Sequence, residues 1–196
     1  EEIRELFTYN PEKAKTLLLE AGVPEGFRFK IQVCSCNPSH MDLIPLLESY
    51  LSKVGIQVEI QPMEYASFFS AMTTKTHGPG YLVHSGHVNP VTTLRKSFVT
   101  GQKWNPSQYS SEYFDKQIDI LHNERDEQKR IQLIRHLTRT IMSETPYIWL
   151  PVPYVHTAWW PWVKNYGGEL RAGANRPGPI YARIWIDQEL KEEMGF

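Results

Sequence analysis

The pattern of apolar and polar residues in the first third of the chain restricts the fold more than any other feature. Residues 27–36 and 56–60 alternate apolar with polar side chains, which predicts two strands. Apolar residues at helical spacing lie between them and predict a helix that runs to about Val54. Because Pro45 is tolerated in the first turn of a helix and not in its interior, we expect this helix to begin near Asp42. This order favours a right-handed βαβ unit with parallel strands.

A further helix is predicted on each side of this unit. Asn10, Pro11 and Glu12 supply an N-cap, a proline at the first helical position and an acid at the positive end of the helix dipole, and Gly22 supplies the left-handed stop. Residues 64–75 carry a second amphipathic pattern, and the apolar residues 81–83 predict a short buried strand. The order β-α-β-α-β is typical of the α/β class.

The run 78–90 is the strongest candidate for a ligand site. Its predicted strand ends in a polar loop around Gly86, and Asn89 with Pro90 then opens a helix. Open α/β sheets place ligands at such strand ends, although an ordinary strand-to-helix connection would have the same local sequence.

Acidic residues are absent from the surroundings of this run. No Asp or Glu occurs between Tyr65 and Ser111, although the whole chain has 22 acidic and 21 basic residues. A locally positive surface suits a neutral or anionic ligand group better than a bare cation. A solvated face without a function is the alternative.

Composition limits the classes of function. A chain of 196 residues fits one domain, or one domain with a tail, and its net charge of −1 lacks the basic excess of a nucleic-acid-binding protein, so we expect no nucleic-acid partner. No apolar run approaches the roughly 18 residues that a membrane span needs, and no signal peptide is evident. We expect the sequence to belong to a longer chain.

Two cysteines stand two residues apart in the first predicted strand. An extended strand would hold Cys34 and Cys36 on one face at roughly 7 Å, which is too far for an unstrained disulfide. Two thiols without further cysteines nearby also make a poor zinc site. We therefore expect reduced, partly buried thiols.

The second half of the sequence predicts two further helices, a return strand and a closing segment. The helices cover 111–123 and the stretch from Asp126, and the loop before them contains Trp104, which either fixes the loop or faces a ligand. Residues 146–155 read as an edge strand broken by prolines, which carries Tyr154. After a tryptophan-rich segment, residues 180–186 alternate like a strand and 188–194 predict a helix.

Catalytic and cofactor motifs are absent from the sequence. It has no Gly-x-Ser-x-Gly elbow, no His-Glu-x-x-His, no phosphate loop and no Gly-x-Gly-x-x-Gly. His84 and His87 have the one spacing that could hold a metal, but third and fourth ligands are not apparent. We expect no enzyme activity, no cofactor and no metal, and assign these histidines to hydrogen bonding instead.

Several short motifs follow one another in a fixed order: 9–15 with Leu17, Leu18 and 20–22, then Leu51 with Gly55-Ile56 and Val58, Tyr109 with Phe114-Asp115 and 126–130, 146–151, and 161–163 with Tyr166. Their order and spacing resemble the C-terminal part of the family 5 extracellular solute-binding proteins, the dipeptide-, oligopeptide- and nickel-binding receptors of ABC importers. The resemblance implies a periplasmic-binding-protein-like fold of class II (cluster C). Residues 1–160 would form the C-terminal ligand-binding lobe, with a β-α-β-α-β core, two further helices and a return strand. Residues 161–196 would cross over and pack on an N-terminal lobe.

The function implied by this resemblance is solute binding for import. The receptor would close on a peptide-like solute between its two lobes and deliver it to permease and ATPase subunits in the membrane. Its location would be periplasmic or extracellular, with or without a lipid anchor. A carbohydrate or a nickel or other metal complex is the alternative ligand. Two alternative hypotheses belong to other classes of function: a hydrolase that uses His84 or His87, and a protein-interaction module.

The chain departs from the family at the ligand-binding run. The family's run contains an aspartate that pairs with the ammonium of a bound peptide, and this aspartate falls on Gly86, while a tryptophan falls on Val83 and a second acid on Asn89. A buried ammonium needs a paired charge, so we expect that a free peptide amino terminus is not bound in the usual way. The ligand-binding residues expected here are Tyr81, Val83, His84, Ser85, Gly86, His87, Asn89, Trp104 and Tyr154.

Overall fold

The computed structural model describes residues 2–83, 89–151, 156–169 and 178–196. In these residues the helices are α1 (Glu2–Leu6), α2 (Pro11–Glu20), α3 (Pro38–Ser52), α4 (Tyr65–Thr74), α5 (Pro90–Phe98), α6 (Glu112–Asn123), α7 (Glu127–Glu144), α8 (Gly178–Tyr181) and α9 (Gln188–Glu193), and the strands are β1 (Arg28–Cys34), β2 (Gln57–Met63), β3 (Gly80–Leu82), β4 (Val163–Lys164) and β5 (Trp185–Ile186). The chain divides into two compact units, Glu1–Trp149 and Leu150–Phe196. No helix in the described ranges is long and apolar enough to cross a membrane.

A three-stranded parallel sheet organises the first unit. The strand order is β2-β1-β3, and both pairings are parallel, which confirms the predicted β-α-β-α-β core. Ile31 and Val33 of β1 are buried, as their alternation predicts. Gly80 faces Ile31 across the pairing, and a Cβ atom at Gly80 would lie 2.5 Å from the carbonyl oxygen of Lys30. Only glycine therefore allows β3 to approach β1 this closely.

The start of α3 differs from the prediction. The helix begins at Pro38 rather than near Asp42, and Pro45 lies inside it. Asn37 caps the helix by accepting a hydrogen bond of 3.3 Å from the backbone N–H of His40, and Pro38 occupies the first turn. These features specify the earlier start. The helix continues through Pro45, although proline has no N–H to donate to the preceding turn.

A second core forms where α5, α6 and α7 pack together. Phe114, Leu121 and Leu137 have no exposed surface, and Leu94, Phe98, Ile118 and Ile141 complete the cluster. The buried residues of α6 lie on one face of that helix, and Leu137 and Ile141 are the buried residues of α7. Both helices start where the sequence predicts, because Ser111 accepts from the N–H of Phe114 and Asp126 accepts from that of Lys129.

Two of the later strand predictions are wrong for most of the residues that the structure describes. Residues 146–151 belong to no strand, because Pro146 and Pro151 lack the N–H that a ladder needs, and 152–155 lie outside the described residues. Within 180–186, the helix α8 precedes a strand of only two residues, Trp185–Ile186. Pro179 in the first turn of α8 outweighs the apolar alternation that follows it. The final predicted helix is confirmed as α9, capped by Asp187.

Candidate functional site

A cavity of about 160 Å³ opens where β1 and β3 end, at the carboxyl edge of the parallel sheet. This is the position at which open α/β sheets bind ligands. The residues that line it come from the strand ends, the beginning of α3, helix α4 and the loop after α5: Cys34, Cys36, Val83, Asn37, His40, Tyr65, Phe68, Phe69, Met72, Trp104 and Pro106.

One wall of the cavity is a disulfide between Cys34 and Cys36, so the expectation of free thiols is wrong. The strand ends at Cys34, and Cys36 lies in the turn that follows. The turn shortens the Cα–Cα distance to 5.1 Å, within the range of ordinary disulfides, whereas a continuous strand would have held the cysteines roughly 7 Å apart. Disulfides of this kind persist in oxidising compartments.

The opposite wall is the aromatic face of α4. Tyr65 and Phe69 stack with ring centroids 5.9 Å apart, and Phe69 meets Trp104 edge-on at 5.4 Å. Trp104 is 42 % exposed and lines the cavity, which is the position that its predicted role of facing a ligand requires. The loop that carries Trp104 is held at the same time by the buried residue Asn105, which is 1 % exposed.

Tyr81 is placed beside the cavity rather than on its wall. Its hydroxyl donates a hydrogen bond of 2.6 Å to the carbonyl oxygen of Phe68, and the two rings stack at 4.3 Å. Burial raises the pKa of Tyr81, so the phenol stays protonated and keeps this bond. The predicted role of Tyr81 in ligand contact stays a prediction, and the observed role of its hydroxyl is to join β3 to α4.

Asn89 caps α5. Its side chain accepts hydrogen bonds from the backbone N–H groups of Val91 at 2.9 Å and Thr92 at 3.4 Å, and it does not line the cavity. Of the other residues predicted for the site, Val83 and Trp104 line the cavity. The remaining ones, His84, Ser85, Gly86, His87 and Tyr154, lie outside the described residues.

The described walls of the cavity carry no carboxylate, ammonium or guanidinium group. No Asp, Glu, Lys or Arg is among the described residues that line it, and its polar side chains include Asn37 and His40. Within the described part of the chain, no group of three or more His, Cys, Asp and Glu side chains could hold a metal ion. Such walls suit an uncharged, largely apolar ligand group. Phe69 and His40 line the cavity but were not among the predicted site residues, although the aromatic residues of α4 were themselves a signal.

Comparison with known proteins identifies the family. A family profile described as "Bacterial extracellular solute-binding proteins, family 5 Middle" matches residues 1–106, which is more than half of the chain. The chain belongs to family 5 of the bacterial extracellular solute-binding proteins. Members of family 5 are binding proteins, and the parallel α/β core described above is consistent with their fold.

Three relatives illustrate this membership. The dipeptide-binding protein of Escherichia coli (strain K12) is 26 % identical over 148 residues, covering 71 % of this chain and 28 % of its own length. The glutathione-binding protein GsiB of Salmonella choleraesuis (strain SC-B67) is 23 % identical, covering 74 % and 30 %. The ABC transporter-associated periplasmic binding protein DppA from Helicobacter pylori, solved with the peptide STSA, superimposes with a TM-score of 0.59 at 25 % identity, covering 71 % and 28 %. The chain thus spans less than a third of these family 5 relatives.

Proposed function

We propose that this chain is part of the ligand-binding lobe of a receptor that captures a peptide-like solute for an ABC importer. The observation that carries the proposal is the cavity at the carboxyl ends of β1 and β3, which includes Val83 and Trp104 of the predicted site. Family membership supports the same function, because relatives of comparable similarity are named for binding a dipeptide and glutathione.

The proposed ligand group is uncharged or anionic. The cavity walls carry no carboxylate in the described residues, and no acid occurs from residue 65 to residue 111. A peptide ammonium buried here would have no carboxylate from this stretch, and a missing partner for a buried charge costs several kcal/mol. The ligand would instead be held by strand-end backbone at 83–86 and by the side chains predicted from the sequence, with His84, His87 and Tyr154 among them.

The proposed receptor has a second lobe and membrane partners. The division into a lobe of residues 1–160 and a crossover of 161–196 that packs on an N-terminal lobe belongs to this proposal. The proposal also includes delivery of the solute to a permease and an ATPase, a periplasmic or extracellular location, a lipid anchor and the absence of catalysis. The Cys34–Cys36 disulfide supports an oxidising location.

Carbohydrate is a second candidate ligand, and the exposed Trp104 ring favours it because an indole face stacks well on a sugar ring. We give peptide the preference, since the cavity beside Trp104 is enclosed by apolar side chains and has few hydrogen-bonding groups for sugar hydroxyls.

Calorimetry on the complete receptor protein tests these proposals. Free tripeptides, the same tripeptides with N-acetyl caps, and a set of oligosaccharides would be titrated separately. We expect peptides to bind and the acetyl cap to have little effect on their affinity. Tight binding that requires the free amine would refute the proposal of an uncharged or anionic ligand group. Binding of oligosaccharides alone would replace the peptide by a sugar, and no binding of either class would refute the proposed peptide receptor.

A further inference from the structure

The loop that carries Trp104 is built around a buried amide. The side-chain Nδ2 of Asn105 donates to the carbonyl oxygens of Val99 at 3.2 Å and Tyr109 at 2.8 Å, and its Oδ1 accepts from the hydroxyl of Ser107 at 2.9 Å. These bonds join both ends of the loop to its middle. They fix the shape of the loop, but they leave open where the loop sits relative to α4.

Lys75 connects the loop to the end of α4. It follows α4 in the left-handed conformation, with φ of 60°, and caps the end of the helix. Its Nζ donates to the carbonyl oxygens of Lys103 at 2.9 Å and Asn105 at 2.7 Å. These two residues are the immediate neighbours of Trp104, so one ammonium group holds the backbone on both sides of the tryptophan.

Lys75 bonds to backbone carbonyls and is partly buried. The described structure records no ion pair between Lys75 and a carboxylate, and its own stretch of sequence contains no acid. Burial lowers the pKa of Lys75, because the ammonium is partly removed from water. Hydrogen bonds from a charged donor are stronger than those between neutral groups, so both carbonyls are held firmly.

Helix α4 therefore contacts the Trp104 loop at two points. Lys75 at its C-cap binds the loop backbone, and Phe69, which lies inside the helix, packs edge-on against the Trp104 ring at 5.4 Å. Phe69 and Trp104 both line the cavity. The position of the cavity's aromatic wall thus depends on a residue that does not line the cavity itself.

We propose that Lys75 is a positioning residue that holds Trp104 against Phe69, and that the cavity so formed accepts one uncharged aromatic or branched aliphatic side chain of the bound solute. The ligand part of this inference rests on the proposed receptor function. The size of the cavity matches, because its volume of about 160 Å³ is close to that of an engineered apolar cavity of roughly 150 Å³ that binds benzene.

The first arm of the test measures the position of Trp104 without any ligand. The complete receptor is labelled with fluorotryptophan, and its fluorine resonances are compared with those of Trp104→Phe to assign the Trp104 signal. We expect Lys75→Met to shift or broaden this signal, because the carbonyls beside Trp104 lose their donor. Lys75→Arg, which keeps the charge and two donors, should restore it. Lys103→Met is the matched control, since it removes a neighbouring exposed lysine whose side chain makes neither bond, and it should leave the signal unchanged.

The second arm measures selectivity with two N-acetylated alanine tripeptides, one of which carries phenylalanine at its centre. Lys75→Met should reduce the preference for the phenylalanine peptide by about tenfold, whereas Lys103→Met should change it by no more than about twofold. Lys75→Gln, which is shorter and uncharged, replaces Lys75→Met if the latter does not fold. An unchanged Trp104 signal overturns the positioning role. A wild-type receptor that binds both peptides equally overturns the side-chain site, and one that binds neither refutes the proposed function while the fluorine signal still decides the role of Lys75.

Discussion

The hydroxyl of Tyr81 donates a 2.6 Å hydrogen bond to the carbonyl oxygen of Phe68, and the rings of the two residues stack with a 4.3 Å separation at an angle of 11°. One residue lies on β3 and the other on α4. The pair therefore joins the strand that leads to the ligand-binding run to the helix that forms the aromatic wall of the cavity. A side chain predicted to contact the ligand has a structural role that its sequence position does not reveal.

Replacing Tyr81 by phenylalanine separates these two roles. The variant keeps the stacked ring and removes the hydrogen bond, so we expect the free energy of unfolding to fall by about 1 kcal/mol. Urea unfolding would measure the change, with Tyr113→Phe as the control because Tyr113 is half exposed and its hydroxyl bonds to His136 at the surface. If Tyr81→Phe is as stable as the wild type but loses ligand affinity, the hydroxyl serves the ligand instead.

The disulfide between Cys34 and Cys36 closes a very short loop, so its contribution to stability should be modest. Chain-entropy arguments give about 1.5 kcal/mol for a closed loop of this size, less than the typical disulfide contributes. A reductant should therefore lower the melting temperature of the wild type slightly and leave that of Cys36→Ser unchanged. Cys36 is the better site for substitution, because it is exposed whereas Cys34 is buried. Free thiols detected by alkylation and mass spectrometry in the folded, unreduced protein would contradict the pairing.

Most of the first unit could be predicted from sequence because local signals agree there. The strands around Ile31 and Ile60 alternate, and the caps at Asn10, Ser111 and Asp126 lie where the helices begin. The prediction failed where two local rules competed. At α3 the cap formed by Asn37 outweighed the interior proline, and near Pro179 the helical first turn outweighed the apolar alternation.

The candidate site was only partly predictable, because its walls come from segments far apart in sequence. Val83 and Trp104 could be chosen from the polar strand end and the aromatic loop. The hydrogen bonds from Lys75 to Lys103 and Asn105 span 28 and 30 residues, and no periodicity or local motif encodes such contacts. The disulfide was missed for another reason, since the distance estimate assumed that the strand continued through Cys36.

Asn105 should be the most sensitive polar residue of the Trp104 loop. Its amide is buried and bonds to Val99, Tyr109 and Ser107, so Asn105→Ala removes three hydrogen bonds from the middle of the loop. We expect a loss of about 3 kcal/mol in the free energy of unfolding. Asn123→Ala is a suitable control, because its side chain makes one exposed bond at the end of α6. Equal stabilities of the two variants in urea would show that the buried amide does not hold the loop.

Tyr109 should make stability depend on alkaline pH. Burial, followed by the hydrogen bond to Glu144, raises the pKa of Tyr109 to about 12, compared with about 10 for a tyrosine in the unfolded chain. The folded state holds the phenolic proton of Tyr109 more tightly than the unfolded chain does. The resulting stabilisation of the folded state is fully present below about pH 10 and is lost as the pH rises through about 12. Melting temperatures of the wild type and Tyr109→Phe should therefore converge across this window, since the other titrating groups are common to both proteins. Glu144→Gln keeps a hydrogen-bond acceptor without the charge, so it should lower the pKa of Tyr109 and narrow the pH range over which stability is lost. If the melting temperatures of all three proteins change with pH in parallel, the raised pKa of Tyr109 is contradicted.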